Sequence, residues 1–111
     1  MKPSFYETRA HVMICTDPKC EARGSSLLFQ AVWNGLERER LAYYSTGGNL
    51  RLTASGCLGV CQFGPTVACY FRREGNLQEA WFSGMDYPRT MTLARALHAG
   101  LEPPNDGRYD E

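Results

Sequence analysis

The chain carries no excess charge of either sign: twelve Lys and Arg balance twelve Asp and Glu across 111 residues. Such a balance offers no electrostatic argument for nucleic acid or an anionic membrane as partner. No apolar run approaches the ~20 residues that a spanning helix needs. The stretch Met1 to Glu7 lacks the apolar region of a secretory signal, so the expected compartment is the cytoplasm. No C-x-x-C occurs, which argues against the disulfide exchange that such a pair performs. Also missing are an internal repeat, a long linker, an activated nucleophile beside a base, and a nucleotide-binding loop.

What the chain does have is cysteine in an unusual arrangement. Four of its five cysteines form two close pairs: Cys15 and Cys20 with four residues between them, Cys57 and Cys61 with three. Structural disulfides are rare in the cytoplasm, and an odd count suits a fully paired framework poorly. Each pair sits in a segment that reads as a loop at the end of a strand. Thr16-Asp17-Pro18-Lys19 is turn chemistry. Gly56 and Gly59 bracket Cys57, and Gly24 follows Cys20 at an expected helix start.

Two thiol pairs brought together by a fold supply a four-thiolate metal centre. The spacing suits a [2Fe-2S] cluster best; a zinc site or reversible thiol pairs are compatible with spacing alone. Two ferric ions, two sulfides and four thiolates carry a formal charge of about −2, which is costly to bury without hydrogen-bond donors. Glycine-rich loops let backbone N–H groups approach sulfur, and a helix N-terminus favours negative charge. Arg23, beside that terminus, is placed to balance charge.

Hydropathy patterning supplies the scaffold. Residues 8–14 alternate, with Ala10, Val12 and Ile14 on one face, and read as a strand ending at Cys15. Residues 25–39 carry Leu28, Val32 and Leu36 at helical spacing beside Phe29 and Trp33, with Ser25 or Ser26 to cap the helix. Residues 45–49 read as a loop and Leu50 to Ala54 as a short strand. Pro65 opens a third strand, Thr66 to Phe71, with Val67, Cys69 and Phe71 on one face. A polar turn containing Gly75 leads to a fourth strand, Leu77 to Phe82. Asp86 and Pro88 mark a helix with Met91, Ala94 and Leu97 inward, stopped by Gly100 and Pro103-Pro104. The order β-α-β then β-β-α is the thioredoxin arrangement: an α/β fold with a four-stranded mixed sheet and helices packed on it. One domain over 1–111 is expected, with its core at about 8–100 and a polar tail from 103 to 111.

Cys15-x4-Cys20, the Glu21-Ala22-Arg23-Gly24 that follows, Thr53 to Cys61 with its Gly56-Cys57-Leu58-Gly59 core, and Gly64-Pro65 together resemble a known family. They look like the thioredoxin-like (Shethna-type) [2Fe-2S] ferredoxins of bacteria and the related small iron–sulfur subunit of respiratory complex I. The likeness spans about residues 9–100. The short gap between Cys15 and Cys20 is more similar to the complex I subunit. The resemblance implies that Cys15, Cys20, Cys57 and Cys61 ligate one [2Fe-2S] cluster per chain, and that the protein forms a homodimer. It also implies a small electron carrier without substrate turnover of its own, working between a reductase and an acceptor enzyme. A thiol-based redox protein or sensor, or a metal-containing subunit of a larger redox complex, are the alternatives.

Other residues read as structural. Cys69 is expected to be a core thiol. His11 and His98 are not in loops beside cysteines, as a histidine-ligated cluster would need. Trp33 and Trp81 fall on periodic elements as core or interface packing, and Glu37 to Arg40 reads as a solvated helix end. Leu58, Val60 and Phe63, in the second cysteine loop, form either an apolar rim for transient docking or packing beneath the loop. Asp17, Lys19 and Arg23 would supply charge near that rim.

Overall fold

A computed structural model describes residues 8–16, 20, 22, 24–55 and 65–104, the side chain of Arg73 excepted. Six elements follow in order: β1 (Ala10–Cys15), α1 (Ser25–Arg38), β2 (Leu50–Ser55), β3 (Val67–Arg73), β4 (Asn76–Phe82) and α2 (Tyr87–His98). They build one four-stranded sheet in the order β2-β1-β3-β4. The pair β1–β2 is parallel, with α1 as its crossover, while β1–β3 and β3–β4 are antiparallel. This is the mixed sheet that the element order predicts.

Alternation places the core. Ala10, Val12 and Ile14 from β1, Leu50 and Leu52 from β2, and Val67, Cys69 and Phe71 from β3 are all buried in one cluster. The stripes Leu28-Val32-Leu36 of α1 and Met91-Ala94-Leu97 of α2 pack into the same cluster, with Phe29, Trp33 and Tyr87 at its margin. Both helices therefore cover one face of the sheet. The other face carries His11, Met13, Thr53, Tyr70 and Trp81, which are half-buried or exposed.

Local chemistry sets the boundaries. The hairpin β3–β4 turns through Glu74 and Gly75, both at positive φ (53° and 81°), the primed turn that matches strand twist. Asp86 caps α2: its carboxylate accepts the Arg89 N–H at 2.9 Å, and Pro88 lies in the first turn. The start of α1 differs from expectation. Neither Ser25 nor Ser26 caps it; the cap position is Gly24, left-handed at φ 90°, and no side chain accepts there. Entering a helix from positive φ suits a residue without Cβ, and Ser25 falls inside the helix, fully buried. Glu37, Arg38 and Arg40 are exposed, as the solvated reading expects, and the half-exposed Glu39 pairs across the helices. Its carboxylate accepts two bonds from Arg95 of α2, at 2.7 and 2.8 Å, and clasps the two helices together.

Candidate metal centre

Cys15 is the last residue of β1 and is gripped by the strands on both sides. Its backbone N–H donates to the Thr66 carbonyl at 3.0 Å, and the next N–H, of Thr16, donates to the Ser55 carbonyl at 2.9 Å. The Thr16 hydroxyl donates to the same Ser55 carbonyl at 3.0 Å. The chain leaves the described structure at Ser55 and returns at Pro65. Both ends of the segment bearing Cys57 and Cys61 are therefore anchored beside Cys15. Pro65 is held in turn by the N–H of Met85, which its carbonyl accepts at 3.1 Å.

Cys20 folds back against Cys15. The two are fully buried and make a small cluster of their own, apart from the main apolar core. No disulfide joins them. The Cys20 thiol donates to the Thr66 hydroxyl oxygen at 3.9 Å, a long sulfur contact, and Thr66 is itself fully buried. Five positions after Cys20, the buried Ser25 hydroxyl has no hydrogen-bond partner among the described residues.

Two adjacent buried thiols with the Thr66 hydroxyl against one of them fit a soft metal centre. Sulfur ligands suit iron–sulfur clusters or zinc, and buried hydroxyls can donate to an anionic group that would otherwise be costly to bury. Cys57 and Cys61 lie outside the described residues, as do Asp17, Lys19, Arg23, Leu58, Val60 and Phe63. Among the described residues no third Cys, His, Asp or Glu joins the Cys15–Cys20 pair.

The remaining candidates fall where the sequence reading puts them. Cys69 is fully buried in the main core, opposite Val12 on one side and Ala80 on the other. His11 Nε2 lies 2.8 Å from the Thr53 hydroxyl; burial, and then the Arg51 charge, hold its pKa below the ordinary value. His98 donates from Nε2 to the Gly47 carbonyl at 2.9 Å. Both histidines tie strands or loops together. One residue whose bearing on the site went unnoticed in the sequence is Thr66, a buried polar residue directly before β3.

Residues 5–82 match the thioredoxin-like [2Fe-2S] ferredoxin family. Among solved structures, the wild-type thioredoxin-like [2Fe-2S] ferredoxin from Aquifex aeolicus superposes with a TM-score of 0.71 at 20% identity, over 94% of this chain and 99% of that one. A second structure of such a ferredoxin from the same organism gives 0.71 at 21% identity, over 93% and 92% of the two chains. At these identities the likeness is one of fold. No curated protein matches the sequence significantly. The described residues contain no helix long and apolar enough to cross a membrane. With the family match covering well over half of the sequence, and the same fold under it, this chain belongs to the thioredoxin-like [2Fe-2S] ferredoxins, a family of electron carriers whose cofactor is a [2Fe-2S] cluster.

Proposed function

We propose that the protein is a cytoplasmic single-electron carrier in which Cys15, Cys20, Cys57 and Cys61 hold one [2Fe-2S] cluster per chain. The observation that carries this reading is the buried Cys15–Cys20 pair lying between the two anchors of the second cysteine segment, Ser55 and Thr66. Cys57 is two residues from Ser55, a reach of at most ~7 Å, and Cys61 is four residues from Pro65, at most ~14 Å. Both are within range of the first pair. When bound, the cluster takes up and releases one electron at a low potential, below about −200 mV by comparison with all-cysteine clusters.

The chain's own groups have defined tasks in this scheme. β1 and the Cys15 N–H bond hold the first ligand at the sheet end, and the buried Thr66 hydroxyl beside Cys20 offsets charge. Complete burial of Cys15 and Cys20 disfavours a thiol-exchange role, since a partner thiolate must reach the sulfur it attacks. Leu58, Val60 and Phe63 would offer an apolar rim for docking, and Asp17, Lys19 and Arg23 would steer a reductase and an acceptor enzyme mainly through encounter rate. Family resemblance and the 12% aromatic content support a homodimer, which light scattering should report at twice the 12.5 kDa chain mass.

The deciding experiment is anaerobic purification with iron and sulfide analysis. A red-brown protein carrying two irons and two sulfides per chain, which gains a paramagnetic signal after one-electron reduction, is the expected result. A colourless protein holding one zinc, or none, would exclude the proposal.

A further inference from the structure

Thr66 touches both cysteines of the first pair. Its carbonyl accepts the Cys15 N–H at 3.0 Å, and its hydroxyl oxygen accepts the Cys20 thiol at 3.9 Å. The residue is fully buried, immediately before β3, which opens on Val67-Ala68-Cys69. A valine would fill nearly the same volume without taking a hydroxyl out of water, and burial of a hydroxyl is unfavourable unless it is hydrogen-bonded. Its presence there calls for an explanation in terms of what it contacts.

We propose that Thr66 is a positioning residue for the cluster: once Cys20 is bound as a thiolate, the Thr66 hydroxyl donates to Cys20 Sγ and raises the reduction potential. The inference rests on Cys20 being a ligand, as proposed above. Ligation removes the thiol proton, and with it the donor of the present contact. The sulfur is then an acceptor only, whereas a hydroxyl both donates and accepts and can rotate its hydrogen without moving its oxygen. The heavy-atom arrangement already present serves the reversed bond, which becomes charge-assisted and can shorten. An electron from an external reductant adds negative charge that the cluster shares with its sulfurs. A donor aimed at one of them stabilises the reduced form more than the oxidised form. No covalent bond in the protein forms or breaks.

The test compares the cluster-loaded wild type with Thr66→Val, Thr66→Ala and Thr66→Ser in a mediated redox titration followed by visible absorption. At a fixed applied potential, Val and Ala should lower the reduced-to-oxidised ratio by about threefold to tenfold, tenfold being 59 mV for one electron. Ser, which keeps the hydroxyl, should stay within about twofold of wild type. If Val and Ala fail to load while Ser loads normally, the hydroxyl acts on the site and the proposal stands. Val or Ala loaded at the wild-type potential overturns it. So does a Ser variant shifted as far as Val, or failure of all three to load, since side-chain shape rather than the hydroxyl would then matter. A wild type that holds no [2Fe-2S] cluster would instead defeat the ligand assignment itself, and its missing spectrum separates that outcome from the others.

Discussion

Cys69 separates a ligand from a core thiol, because it has the same chemistry as the other four cysteines but a different environment. It is fully buried in the middle of β3, facing Val12 and Ala80 across the ladder and packed in the core that holds Val67, Phe71 and Phe82. Cys69→Ser keeps the shape and replaces a thiol that behaves as a small hydrophobe by a hydroxyl. Placing that hydroxyl in an apolar core costs about 1–3 kcal/mol. For a domain of this size, 1 kcal/mol moves the melting temperature by ~4 °C or slightly more, so a fall of roughly 4–12 °C is expected. The visible spectrum of the cluster should be unchanged. Cys20→Ala is the counterpart: it removes a proposed ligand from the small buried pair outside the main core and should bleach or severely destabilise the cluster. Circular dichroism melts and visible absorption on the same samples measure both effects. A Cys69→Ser protein that bleaches beside a Cys20→Ala protein that keeps its full spectrum would refute the assignment of ligands and the argument from burial alike.

Burial and the Arg51 charge hold His11 below the ordinary imidazole value of about 6.5, so the folded state prefers the neutral ring. The corresponding stability is complete above pH ~6.5 and is lost as pH falls through the folded value; His11→Gln should flatten this acid limb in urea titrations, and an unchanged limb would assign it to other groups. Gly48→Ala would drive a Cβ onto the backbone carbonyl of Ala42, which cannot swing aside as a side chain would. The loop feeding β2 must shift, so melting should fall clearly while any loaded cluster keeps its spectrum, because Leu50 and Ser55 are opposite ends of β2. A wild-type melting temperature for Gly48→Ala would show the loop to be slack.

Periodicity made the scaffold legible. Ala10-Val12-Ile14, Leu28-Val32-Leu36 and Met91-Ala94-Leu97 are buried in one core, because spacings of two and of three to four residues report directly which side of a strand or helix meets it. Cysteine spacing, with its glycine neighbours, pointed to a thiolate metal centre and to the family. Local signals failed where several conformations compete for the same residues. Two serines at a helix start suggested a side-chain cap, yet Gly24 enters from positive φ and Ser25 is drawn into the interior. The run of charges is the solvated end it suggested, but spacing could not show that Glu39 pairs with Arg95, 56 positions away.

The sequence by itself determined the element order, the inward faces, the nature of Cys69 and the identity of the sulfur ligands to be tested. Only the tertiary structure decided that β1 lies between β2 and β3, and this one fact brings Ser55 and Thr66 to opposite sides of Cys15. It likewise decided that Thr66, 46 positions from Cys20, lies against that thiol. Strand order and such distant contacts depend on how the whole apolar surface is best buried, a property of the packed chain that no local spacing encodes.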